Sequence, residues 1–262
     1  MSVASSAIDL AHLLCARYVM AYVNEVLAPV QRNDGLSQVG IAWLVGFRES
    51  DECELLEVRL TSDRSPSDWS RLWDDLSIRG AARVRFTIGG RAFFRGQDLP
   101  PCFPGSVALP SIALQLESSA LRVAPGHRAQ VNDSLRAIVD SKSSHDAWRA
   151  LHLFESSPLG QRYPDVVAAW RLTLEQGRPM FDAAPLLRRV VHSGDGLSVD
   201  MNRSLGRAIA RRRPFTSADD AVHFVRAALE RRLRAIGGSD RGAVTARSRT
   251  RRALATTMSA SL

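Results

Sequence analysis

Apolar residues in the early part of the chain fall into short, dense runs separated by polar turns. Arg17–Val26 (RYVMAYVNEV) is rich in β-branched and aromatic residues, which pack well on a pleated surface and predict a strand. Asn33, Asp34 and Gly35 follow as a hairpin turn signal. Val39–Phe47 (VGIAWLVGF) reads as a second strand, apolar on both faces, and Leu55–Leu60 as a third after a polar RESDE turn. Three such runs with short links predict an antiparallel meander.

The period then changes. Trp69, Leu72, Trp73 and Leu76 recur at helical spacing, with Ser67 placed to cap the helix and Gly80 to stop it. Ala82–Ile88 reads as a fourth strand, and a helical crossover leading into it predicts that it runs parallel to a neighbour. A short helix around Phe93–Leu99 and a fifth strand around Val107–Leu114 complete a mixed sheet. Helices are expected over Glu117–Asp140, His145–Ser156, Tyr163–Gln176, Val199–Arg213 and Ala218–Ile236, punctuated by prolines such as Pro158, Pro164 and Pro185. After Gly237 and Gly238 the apolar pattern fades, and a disordered basic tail is expected. Three strands, helix, strand, helix, strand, then helices is the order of the ribonuclease H-like α/β fold, with three antiparallel strands and two parallel ones.

Composition narrows the partners. The 262 residues are enough for one large domain or two small ones, and 45% apolar content is ordinary for a chain with a real core. Basic residues number 35 against 27 acids, a formal net charge of +8. Lys142 is the only lysine, and an arginine bias of this kind also follows from a G- and C-rich genome. The charge favours acidic partners, nucleic acid first. Cys15, Cys53 and Cys102 are widely separated and odd in number, so they predict buried thiols in a reducing cytoplasm rather than a disulfide framework or zinc site. No apolar run reaches the roughly 20 residues of a membrane span. The N-terminal stretch lacks a basic lead and carries Asp9, unlike a signal peptide, so a cytoplasmic protein without membrane contact is expected.

Familiar catalytic spacings are missing. Gly89, Gly90 and Gly96 match neither a dinucleotide fingerprint nor a P-loop, and a tight turn explains them. The six histidines show no metal-ligand spacing. Ser193 and Ser198 lie outside any nucleophile-elbow pattern.

Several segments, in order, resemble the catalytic half of mutator-type transposases of bacterial insertion sequences. VGIAWLVGF through TIGG resembles that family's strand pair, its Trp-bearing helix ending in Leu-x-x-Arg-Gly, and its next strand. CFPGS resembles the Phe-Pro ahead of the fifth strand. RAIVDSKSSHDAWRALHLFE and YPDVVAAW resemble the helical insertion. LLRRVV and MNRSLGRAIARRRPFTSADDAVHFV resemble the C-terminal Arg-Arg block and Leu-Asn-Arg helix. The resemblance runs from about Tyr18 to Arg234. It implies a sheet core over 1–115, a helical insertion over 116–190, C-terminal helices completing the core over 191–236, and the tail over 237–262.

The family holds two magnesium ions with an Asp-Asp-Glu triad for DNA phosphoryl transfer, since hard cations need carboxylate oxygens. This chain departs at each place. The first Asp position holds Met20, the second Gly89, and the Glu position Ser198 or Val199. The family's Cys-x-x-His is replaced at Ser111 and Leu114. Rescue by Asp195 or Asp200, or by Asp9, Glu25 or Asp34, is disfavoured because a one-residue shift on a strand turns a side chain to the other face. These acids are read instead as solvated turn and cap residues. The resemblance therefore implies a transposase-like protein without catalytic residues or bound metal.

Arg188, Arg189, Arg203, Arg207, Arg211, Arg212 and Arg213 form the basic cluster expected to meet DNA. Arg203, Arg207 and Arg211 lie in one helical row suited to phosphate contacts without sequence preference. The plain alternative is a solvated face. About twenty residues precede the first-strand motif, fewer than the family's DNA-binding region, so a truncated copy is expected. Three readings stay open: an inactive truncated transposase, an active one with an unconventional acidic site, and a DNA-binding regulator that forms a homodimer or pairs with an intact transposase.

Overall fold

The computed structural model describes residues 14–32, 35–50, 52–61, 66–89, 103 and 105–236, with backbone alone for 66–70. Five strands make one sheet in the order β3-β2-β1-β4-β5. They are β1 (Arg17–Arg32), β2 (Gly35–Phe47), β3 (Cys53–Thr61), β4 (Arg83–Gly89) and β5 (Val107–Pro110). The first three form the expected antiparallel meander, with Met20 opposite Phe47 and Arg32 opposite Gly35. β4 runs parallel to β1, Val23 lying beside Gly89, and β5 runs parallel to β4. The sheet is therefore mixed α/β, and β1 is its centre.

β1 is longer than its apolar run predicts. Ala28 and Val30 continue the period of two into the core, and Pro29 sits between them. A proline is tolerated there because β4 has already ended at Gly89. On that free edge the carbonyl of Pro29 accepts from Phe215 N at 2.8 Å, and Gln31 N donates to the Phe215 carbonyl at 2.9 Å, so Pro29's missing N–H has no strand partner to lose.

Helix α1 (Pro66–Ile78) covers one face of the sheet, packing Leu72, Trp73 and Leu76 against Ala21, Val23, Leu44 and Val84. It begins at Pro66, whose fixed φ suits a first helical position, so Ser67 lies inside the helix rather than capping it. Its end follows the expected stop. Gly80 has φ 105°, and Ala81 N and Gly80 N close back on the carbonyls of Leu76 and Ser77, both at 3.0 Å.

The remaining helices are α2 (Ile112–Arg122), α3 (Arg128–Val139), α4 (Ser144–Glu155), α5 (Pro158–Arg162), α6 (Pro164–Phe181), α7 (Pro185–Ala210) and α8 (residues 218–236); α7 packs on β1 and β2 and α6 on β5, while α2 to α5 pack against one another and against α6 and α7. Several boundaries differ from the expectation. β5 stops at Pro110 and Ser111 caps α2, its hydroxyl accepting from Leu114 N at 3.1 Å, because the Pro-Ser pair ends pairing and starts a helix. Pro125 breaks the predicted Glu117–Asp140 helix into α2, a short turn and α3. α7 starts at Pro185, well before Val199. Leu187, Val191, Gly194, Ser198, Met201, Leu205 and Ile209 supply one continuous buried stripe through its glycines. Arg226 of α8 donates to Glu57 and to the Val58 carbonyl on β3, covering part of the sheet's outer edge.

Cys15 and Cys53 are half-buried rather than fully buried. The expected Asn33-Asp34 turn, the helix around Phe93–Leu99, Cys102 and the tail lie outside the described residues.

Candidate active-site region

The centre of β1, the end of β4, the start of α2 and the middle of α7 meet at one place. Met20 on β1 is fully buried and faces α7 so closely that a Cβ on Gly194 would lie 2.8 Å from its sulfur. At the end of β4, the Gly89 carbonyl accepts from Ser111 N at 3.2 Å. Ser111 then donates its hydroxyl proton to Asp195 Oδ1 of α7 at 2.6 Å. The other carboxylate oxygen of Asp195 accepts from Ala113 N at 2.9 Å. Ser198 and Val199, both buried, follow about one helical turn along α7.

Asp195 is thus a helix cap supplied from another helix. It satisfies a first-turn N–H of α2 and lies where the α2 dipole favours negative charge. Burial nevertheless dominates and raises its pKa to about 6, against the pull of Ala113 and Ser111. The expectation of a solvated Asp195 is corrected: it is 4% exposed and spent on structure. Asp200 is exposed and pairs with Arg203 at 2.8 Å, as a surface residue should. Glu25 accepts from Thr61 Oγ1 at 2.5 Å, away from Asp195, while Asp9 and Asp34 lie outside the described residues.

Around Asp195 the polar atoms are mostly neutral. Tyr22 Oη and Ser198 Oγ are buried and have no hydrogen-bond partner among the described residues. The Tyr22 phenol is held well above its ordinary pKa, first by burial and then by the Asp195 charge. Hydroxyls, a thioether and one engaged carboxylate cannot supply the oxygens that two divalent cations require. No group of three or more His, Cys, Asp or Glu suited to a metal occurs among the described residues. Sequence reading singled out Asp195 but missed Tyr22 and the bridging part played by Ser111. A serine directly after Pro110 and ahead of a helical run was the available signal for Ser111.

The basic cluster divides by environment. Arg203 is occupied by Glu117 and Asp200. Arg212 lies over Phe215 and Phe224, 4.7 and 4.9 Å from their ring centres, and bonds Asp220. Arg188 donates to the carbonyls of Lys142 and Phe181. Arg189, with Arg188, lines a cleft beside α2, and it too has an interaction partner. Arg207, Arg211 and Arg213 are exposed at the C-terminal end of α7 and just beyond it. None of these three has an ion-pair partner among the described residues. No helix among the described residues is long and apolar enough to cross a membrane.

The architecture is that of an α/β protein whose central strand and long helix enclose a buried polar cluster. Comparison with known proteins adds a lineage. The chain is 24% identical over 174 residues to the transposase for insertion sequence element ISRM3 of Rhizobium meliloti, covering 66% of this chain and 43% of that protein. A probable transposase for an ISRM3-like element of Sinorhizobium fredii matches at 24% over the same length, with the same coverage. A probable insertion-sequence transposase of Corynebacterium diphtheriae matches at 24% over 168 residues, covering 64% of this chain and 49% of that protein. No protein-family model matches. The chain is a distant, transposase-like relative of these mobile-element proteins, and its match spans about half their length.

Proposed function

We propose that this chain is a mutator-type, ribonuclease H-like transposase derivative that contacts DNA but no longer performs metal-dependent strand transfer. The observation that carries the reading is the meeting of β1, the end of β4 and α7, with Met20, Gly89 and Ser198 or Val199 at the places the resemblance assigns to acids. The strand order β3-β2-β1-β4-β5 supports the ribonuclease H-like frame. The residues present do not fit two magnesium ions, since the remaining carboxylate is held by Ser111 and Ala113. What remains for function is the exposed basic surface, which suits a DNA backbone and a cytoplasmic setting. The reading also accommodates a regulator that pairs with an intact transposase.

Calorimetric titration with magnesium and with manganese, alongside a DNA-nicking assay, tests the loss of catalysis. No tight metal site and no cation-dependent nicking are expected. Two saturable sites, abolished by Asp195→Asn, together with nicking, would restore the active-enzyme alternative.

A further inference from the structure

A cleft of about 530 Å³ lies between α2, the turn joining α3 to α4, and α7. It opens beside Asp195, and its rim carries Lys142, Arg188 and Arg189. We propose that this cleft binds a phosphate group, with Arg188 and Lys142 as its principal cationic partners. The proposal rests on the DNA-contacting reading only for the source of the phosphate; the chemistry of the cleft stands by itself.

Arg188 is the central observation. It is half-buried, and the two hydrogen bonds it makes go to main-chain carbonyls, those of Lys142 and Phe181. Carbonyls orient a guanidinium but leave its charge uncancelled, and Arg188 has no carboxylate within ion-pair distance among the described residues. The bond to the Lys142 carbonyl ties the α3–α4 turn to α7, so the exposed side chain of Lys142 springs from a backbone anchored beside Arg188. A planar guanidinium and a flexible ammonium are complementary phosphate partners, one directional and one a point charge. The cleft's acids are Asp140 and Asp195. Asp195 is already engaged by Ser111 and Ala113, and Asp140 is exposed at the end of α3. Lys142 and Arg188 therefore face one exposed acid, Asp140, and one already engaged, Asp195, and the volume falls in the range of small-ligand pockets.

His192 supplies a built-in reporter. Its half-buried ring lines the cleft and packs edge-on to Phe181, with centroids 6.4 Å apart. Burial, and then the positive charge of Arg188, hold its pKa below the ordinary value, while Asp140 pulls it up. An anion beside Arg188 adds negative charge next to this imidazole and raises its pKa. Arg189, Lys142 and Asp195 also line the cleft, and the Asp195 carboxyl, raised to about 6, titrates over the same range as this imidazole.

The test uses the full chain. The His192 imidazole is followed by NMR across pH with no addition, with inorganic phosphate, with a mononucleotide, and with a short DNA duplex. A rise in its pKa with at least one of the three, and about tenfold weaker binding of that ligand by Lys142→Glu, are expected. Lys142→Glu keeps the carbonyl that Arg188 uses and alters only an exposed side chain, so the fold should survive. Saturation by duplex at far lower concentration than by phosphate or mononucleotide assigns the site to a nucleic-acid backbone. Preference for phosphate or mononucleotide upholds the cleft but separates it from DNA contact. An unmoved His192 pKa with all three probes, or Lys142→Glu binding like the parent, overturns the proposal. The metal titration above is unaffected by either result.

Discussion

At Asp195 two opposing effects meet on one carboxylate. Burial raises its pKa to about 6, while the donors at Ala113 and Ser111 limit that rise. An unfolded Asp titrates near ~3.9. Between these values the folded chain holds a proton that the unfolded chain has released. The contribution of this group to stability is full below about pH 4, declines as pH rises through about 6, and is flat above that. The gap corresponds to on the order of 3 kcal/mol. Asp195→Asn keeps an acceptor for Ala113 and offers an amide to Ser111, without a charge to bury. Its urea midpoint should therefore match or exceed the parent's at pH 7 and lose the decline between pH 4 and 6. Asp195→Ala, which takes the acceptor from the Ser111 hydroxyl and the Ala113 N–H, should cost about 1–3 kcal/mol. Urea melts at several pH values decide this: an unchanged pH profile in Asp195→Asn would assign the titration to another group.

Among the elements, α7 is held closest to the sheet and offers a paired test. A methyl at Gly194 would stand 2.8 Å from Met20 Sδ and 3.1 Å from the Phe47 ring, both of them buried, whereas one at Gly196 would meet nothing within 4 Å. Alanine gains about 1 kcal/mol over glycine in a helix, and overpacking a filled core costs about 1–3 kcal/mol. Gly196→Ala should be stabilising by up to about 1 kcal/mol, and Gly194→Ala destabilising by about that much. Equal thermal midpoints for the two variants would rule out the close approach. The same helix marks the limit of what the sequence reveals. The sheet was legible because period-two runs, the Gly35 hairpin end and the Gly80 stop are local signals. The first half of α7 was not, because Gly194 and Gly196 look like breakers until the strand that needs Gly194's missing side chain is in place. The site was legible as a list of positions, with Met20, Gly89 and Ser198 or Val199 arising from separate motifs. Its chemistry was not, because Ser111 and Asp195 are 84 residues apart in sequence and only the fold makes one donate to the other.

For the molecule as a whole, a net charge of +8 says less than where that charge is free. Arg203 is neutralised by Glu117 and Asp200, and Arg212 is stacked on Phe215 and Phe224 and bonded to Asp220. The predicted row of Arg203, Arg207 and Arg211 therefore contracts to a patch of Arg207, Arg211 and Arg213. If that patch meets a DNA backbone, each phosphate it neutralises releases counterion, and log affinity falls with log salt by about 0.9 per contact. Replacing Arg207, Arg211 and Arg213 together with Ala should flatten the slope by up to about 2.7, with similar loss on unrelated duplex sequences. Arg203→Ala should leave it nearly unchanged, because a charge already paired twice releases little on binding. Arg212→Ala should instead lower the thermal midpoint, since it uncovers two aromatic rings. Removing residues 239–262, which carry Arg247, Arg249, Arg251 and Arg252, should flatten the slope separately if the tail makes its own contacts. Fluorescence anisotropy with a labelled duplex at four or more salt concentrations measures all of these. If the triple variant binds like the parent at every salt concentration, the end of α7 is a solvated face. If Arg203→Ala flattens the slope as much as the triple variant does, Arg203 leaves Glu117 and Asp200 to meet DNA, and the division of the cluster by its ion pairs is wrong.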